Sequence, residues 1–179
     1  IKGIGSNFEG FVRGLLTQDY PDYHLIISVE SHEDPTFDAL CGLLPVSRES
    51  HVWNPQDQPQ DELEVSAGLT KVRVNVAGLS ENSSQKIHNQ ISALGFLEDG
   101  DKIVAFADAD ITLEDDWLRR LLNPINYGTH PVATTYRWLV PEAGGWANHF
   151  ASVINGSVAT MGGPEWCNLT WGGSYALAR

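Results

Sequence analysis

Residues 103–112, Ile-Val-Ala-Phe-Ala-Asp108-Ala-Asp110-Ile-Thr112, constrain the fold more than any other stretch of the chain. An unbroken apolar run of this length predicts a strand buried on both faces, as in a parallel sheet. Two carboxylates stand where that strand ends, at the edge where α/β sheets hold their ligands. Acids this close repel each other and lose hydration unless a cation sits between them. An oxygen-rich pair suits Mg2+ or Mn2+, which keep waters and bridge to substrate phosphates. A second reading stands beside this one. Thr112 followed by Asp115 resembles a capping box, and Glu114, Asp115 and Asp116 favour a helix N-terminus. On that reading Asp108 and Asp110 are solvated loop acids.

The rest of the chain alternates helix and strand. Ser6 and Glu9 form a capping box before an apolar face of Phe8, Phe11, Val12, Leu15 and Leu16. Residues 23–29 follow a Pro-Asp turn and read as a mostly buried strand. A short helix begins near Pro35 and covers Phe37, Leu40 and Leu43. Residues 45–64, rich in Pro, Gln, Asp and Glu, read as a long solvated excursion. Val72, Val74 and Val76 alternate as in a strand, and Ile87, Ile91 and Leu94 share one side of a helix. Trp117, Leu118, Leu121 and Leu122 mark a helix ended by Asn123-Pro124. Residues 131–140 read as a strand and 145–161 as a weaker helix interrupted at Gly156. The tail from Trp171 suggests a tight turn into a strand or helix. This alternation predicts one α/β layer sandwich with a largely parallel sheet.

Charge narrows the partners. A formal net charge of −12 over 179 residues argues against broad contact with nucleic acid or an anionic membrane surface. A phosphate ligand therefore needs local help from a metal and a few cations. With Cys41 and Cys167 alone, a disulfide framework is not expected. No apolar run approaches the roughly 20 residues that span a bilayer. The chain opens as the tail of a strand and stops after an ordered-looking segment, so a fragment is expected.

Three further groups could carry chemistry. Glu30-Ser-His32-Glu33-Asp34-Pro35 lies at the C-terminal end of the 23–29 strand, on the same edge as Asp108 if the sheet is parallel. An acid there can accept hydrogen bonds from a ribose or a base, or Asp34 can simply cap the Pro35 helix. Lys86 and Asn89 share the helix face opposite Ile87 and Ile91, and a Lys near a helix N-terminus can meet a diphosphate. Gly172-Gly173-Ser174 permits close backbone approach to a ligand, or packs two aromatics in a turn. His24, His51, His88, His130 and His149 lack metal-ligand spacing and read as structural or exposed.

These signals fall in a familiar order: Ile1-Lys2-Gly3, Asn7-Phe8-Glu9, Gln18-Asp19-Tyr20-Pro21-Asp22-Tyr23, Val29 to Pro35, Ser84 to Asn89, Ala107 to Ile111, and Trp171 to Tyr175. In that order and spacing the chain resembles the inverting family 2 glycosyltransferases, and within them the ceramide glucosyltransferase-like branch. The resemblance spans nearly the whole chain. It implies a GT-A fold, a Rossmann-like three-layer sandwich, here a single incomplete domain over residues 1–179. It also implies a nucleotide-sugar donor, usually UDP-linked, with Mg2+ or Mn2+ as cofactor. By the same resemblance Asp34 matches the first family aspartate in the nucleotide pocket, with Glu30 facing the base. Lys86 and Asn89 match the segment near the diphosphate, and Asp108 and Asp110 match the metal-binding D-x-D. Gly172, Gly173 and Ser174 match the donor and acceptor loop. Some members of the branch lack the second acid of the D-x-D, which leaves Asp108 as the firmer match.

The chain departs from the family at both ends. The family's first strand should precede Ile1. Its general base, a later aspartate, and its Q/R-x-x-R-W motif should follow Gly172-Gly173-Ser174, and neither occurs before Arg179. Arg137-Trp138 precedes that loop and cannot fill the role. Membrane helices, usual in the family, would lie outside this region, placing the full-length protein at the cytoplasmic face of a membrane and leaving this piece soluble. The branch suggests a lipid acceptor. Two rivals remain. Asp108-x-Asp110-x-Thr112 also fits a haloacid-dehalogenase-type phosphatase with Asp108 as nucleophile, although no Lys follows it. The third reading is a catalytically inactive nucleotide- or metal-binding module.

Overall fold

The computed structural model describes residues 1, 3–5, 7–57, 63–136, 144–160 and 173–179. The chain divides into two compact units, one of residues 1–101 with 109–120 and one of residues 102–108 with 121–179.

In the first unit, helix α1 (Phe8–Leu16) buries Phe8, Phe11, Val12, Leu15 and Leu16, the stripe that its spacing predicts. Ser6, read as its cap, lies outside the described residues. Strand β1 (Tyr23–Val29) follows, and the Tyr23 hydroxyl donates to the carbonyls of Leu15 and Leu16 at 3.0 and 3.1 Å. Those carbonyls belong to the last turn of α1, where no intrahelical donor remains. Burial pushes the Tyr23 phenol up to about 12. Helix α2 (Pro35–Leu43) starts at Asp34, whose Oδ1 accepts from Thr36 N at 2.8 Å, with Pro35 in the first turn.

Strand β3 (Leu69–Val76) is the centre of a three-stranded sheet, between β1 and the short strand β2 (Val52–Trp53). It runs parallel to β1, setting Leu25 beside Val72 and Ile27 beside Val74. It runs antiparallel to β2. Gly68 leads into β3, and a Cβ added there would sit 1.8 Å from the Tyr20 carbonyl oxygen, so only glycine lets the two backbones pass. The stretch 45–64 is not wholly a solvated excursion. Val46, Trp53 and Pro55 are buried, and β2 joins the sheet. Polar composition hid three apolar anchors.

Helix α3 (Gln85–Leu94) begins at Ser84, whose side chain accepts from Ile87 N. Its apolar side faces outward: Ile87, Ile91 and Leu94 are exposed, and Asn89 is the buried residue. Asn89 Nδ2 donates to Ser28 O at 3.4 Å, and its Oδ1 accepts from Gln85 Nε2 at 2.7 Å. Asn75 Nδ2 reaches both Ser28 Oγ and Ser92 Oγ at 2.9 Å. The sheet thus presents polar groups to this helix, and buried polar groups demand polar partners.

Residues 109–120 are held to α1 by Gln18, which is 1% exposed. Its Nε2 donates to Gly14 O and Glu114 O at 2.7 and 2.9 Å, and its Oε1 accepts from Leu118 N at 2.8 Å. Helix α4 (Trp117–Asn126) starts within this contact, with the N–H of its second residue, Leu118, bound by Gln18. The capping box read at Thr112 and Asp115 is therefore not its start; Thr112 Oγ1 instead accepts from Asn7 Nδ2. Nor does Pro124 end the helix. It lies within the last turn, where the missing N–H costs one hydrogen bond.

The second unit carries an antiparallel sheet of strands β4 (Ile103–Ala107), β5 (Val132–Thr134) and β6 (Ser174–Ala178), in the order β4-β6-β5. The read strand over 131–140 is thus seen as β5, and 137–140 lie outside the described residues. Helix α5 (Trp146–Thr160) runs unbroken through Gly156, contrary to the expected interruption. A helical glycine costs about 1 kcal/mol relative to alanine, too little to break the helix by itself.

Among the described residues the architecture is mixed α/β with two small sheets, one mixed and one antiparallel, in place of the single largely parallel sheet expected. Strand β4 is also only partly buried rather than covered on both faces. Its two alanines carry too little surface to demand cover. Among the described residues no helix is long and apolar enough to cross a membrane.

Candidate functional site

In the second unit the end of β4 meets the start of β6. Ala107 pairs with Ser174, and Asp108 N–H donates to Gly173 O at 2.7 Å. The acid motif and the glycine-serine segment, 65 residues apart in sequence, thus meet at one end of the antiparallel sheet. Gly173 has φ +106°, a conformation that side-chain-bearing residues rarely adopt. It lets the chain turn into β6 beside Asp108.

Ser174 is buried and locked. Its Oγ lies 2.6 Å from Thr135 Oγ1, and its carbonyl accepts from Thr135 N at 3.0 Å. Phe106 stacks on Tyr175 with ring centroids 4.8 Å apart, bracing the two strands one residue from the acid end. Of the proposed loop, Gly173 and Ser174 are placed here and Gly172 lies outside the described residues. Thr135, not singled out in the sequence, fixes the serine; no local pattern links positions 39 residues apart.

Asp108 is partly buried and Asp110 exposed. Among the described residues no group of three or more His, Cys, Asp or Glu side chains could hold a metal ion. The Asp108 carboxylate offers the hard oxygen that Mg2+ or Mn2+ prefers. The donor chemistry therefore fits such an ion.

Glu30, Asp34, Lys86 and Asn89 all belong to the first unit. Asp34 is 6% exposed and serves as the N-cap of α2, which fixes its carboxylate at the end of β1. Glu30 directly follows β1 and is partly buried. Asn89 is engaged with Gln85 and with the β1 backbone, so its amide ties α3 to the strand end. Lys86 is exposed in the first turn of the same helix. The inference that β1 and β4 share one sheet edge does not hold, because the two strands lie in different sheets.

Comparison with family models, with curated proteins and with solved structures finds no match to the chain.

Proposed function

We propose that this chain is the nucleotide-sugar-binding part of an inverting glycosyltransferase of family 2. The donor is a nucleotide-diphosphate sugar, with UDP favoured, and the acceptor is a hydroxyl, with a lipid suggested by the branch. The supporting observation is the Asp108–Gly173 hydrogen bond. It joins two segments that the sequence resemblance names independently, the acid motif and the glycine-serine loop. Both are parts that a transferase needs beside its donor.

On this reading Asp108 would help hold a divalent cation, as the resemblance implies for the acid motif, and that cation would offset charge on the departing diphosphate. Lys86, exposed at the start of α3 in the first unit, would offer a phosphate its own charge and the helix N-terminus. Within the first unit, Glu30 and Asp34 would contact a nucleoside, as the resemblance implies. The cap bond to Thr36 N holds the Asp34 carboxylate in place for that contact. Gly173 brings the loop backbone close to the ligand without a side chain in the way.

Calorimetric titration of UDP in the presence of Mn2+ tests this reading. The unaltered chain should bind, and Asp108→Ala should lose at least about tenfold in affinity, or roughly 1.4 kcal/mol. Equal heats for the two proteins would remove the metal-site assignment.

A further inference from the structure

The loops around β1 and β2 bring together two histidines from positions 19 residues apart, His32 and His51. Their Nε2 atoms lie 3.2 Å apart. Two imidazole nitrogens bound to one metal at about 2.0–2.1 Å stand roughly 2.9 Å apart at a right angle and 3.4 Å apart at a tetrahedral angle. The observed separation falls inside that bite. Without a metal, one Nε2–H donates to the other Nε2. When that proton sits on Nδ1 instead, both Nε2 lone pairs face the same point.

The pair is held by its surroundings. His32 packs edge-on against Phe37, with centroids 4.7 Å apart, and Phe37 is fully buried. Arg48 Nη2 donates to the His32 carbonyl at 3.0 Å, and Val74 N donates to the His51 carbonyl at 2.8 Å. His51 immediately precedes β2, so the sheet fixes its backbone. Both rings are partly exposed, which leaves room for water to complete a coordination shell. The other histidines of the first unit are otherwise engaged, His24 with Asp101 and His88 with the Ala77 carbonyl.

We propose that His32 and His51 form a two-imidazole seat for a late first-row transition-metal ion, Cu2+, Ni2+ or Zn2+. Imidazole favours these ions over Mg2+, and Cu2+ should bind tightest. This site uses no carboxylate of the acid motif and does not rest on the transferase reading.

The test is titration of the tag-free chain, stripped with chelator, with Cu2+, Zn2+ and Mg2+ by calorimetry. One Cu2+ or Zn2+ should bind per chain at this site, with Mg2+ giving no heat there. His32→Gln and His51→Gln should each weaken Cu2+ binding by about tenfold or more, the loss that even a supporting partner of a metal ligand causes. The double variant should lose less than the sum of the two single losses, because either substitution alone already removes the advantage of two-point binding. Unchanged affinity in either single variant, or losses that add, would overturn the proposal. Should a variant misfold, ring-nitrogen NMR of the unaltered chain decides. On adding Zn2+ both Nε2 resonances must move together, and a spectrum in which neither moves also overturns it.

Discussion

Helices α1 and α3 have sequences of similar amphipathic pattern and are oriented in opposite ways. Leu16 of α1 is 0% exposed, whereas Ile91 of α3 is 62% exposed. The difference lies in what each helix meets. The apolar stripe of α1 is buried, and its last turn receives the Tyr23 hydroxyl. The sheet offers α3 the polar groups of Ser28 and Asn75, and these draw Asn89 and Ser92 inward. An apolar stripe fixes the period of a helix; the partner surface decides which side turns in.

The sharpest way to break this contrast is truncation of the two stripes. Leu16→Ala should cost about 2–5 kcal/mol in urea unfolding, through lost burial and the cavity left behind. Comparable losses at Leu16 and Ile91 would refute it. Next, Asn89→Ala should cost roughly 1–3 kcal/mol, because it removes two hydrogen bonds, from Gln85 Nε2 and to Ser28 O, at the buried face of α3. Replacing the inward residue of α3 without penalty would mean that the polar interface does not hold the helix.

Tyr23 sharpens the α1 side of the comparison. Its phenol titrates near 12 when folded and near 10 when unfolded, so the folded state keeps its proton longer. The contribution is fully present below pH 10 and fades as pH climbs from 10 to 12. Because the ring is only partly buried, about 1 kcal/mol is the expected size after allowing for solvent screening. Tyr23→Phe should be less stable than the unaltered chain at pH 7 and should show a shallower decline above pH 10. Parallel pH curves would count against burial of the phenol. The smallest effect belongs to Ile91→Ala, which should change unfolding by no more than about 0.5 kcal/mol.

Much of the first unit was legible because its signals are local. The strand at 23–29 is found over that span, the α1 stripe is buried as spaced, and Asp34-Pro35 starts a helix as its chemistry requires. The partners of strands were not legible. Nothing within Ile103–Ala107 reveals that its neighbour is Ser174–Ala178, running the other way. Nor does Lys86 or Asn89 show in sequence that one is exposed and the other is tied to β1. At the candidate site, Asp108, Gly173 and Ser174 were each marked by residue type, but their meeting was not. The Thr135 contact and the His32–His51 pair arise from chain crossings that periodicity does not encode.

Strand β6 lies between β4 and β5, although both precede it in the chain. During synthesis, then, the strand that delivers Asp108 emerges with its hydrogen-bonding edge unsatisfied. It must wait for the ribosome to add the residues up to Ala178. That interval leaves an open edge on which a stalled or shortened nascent chain could pair with a neighbour.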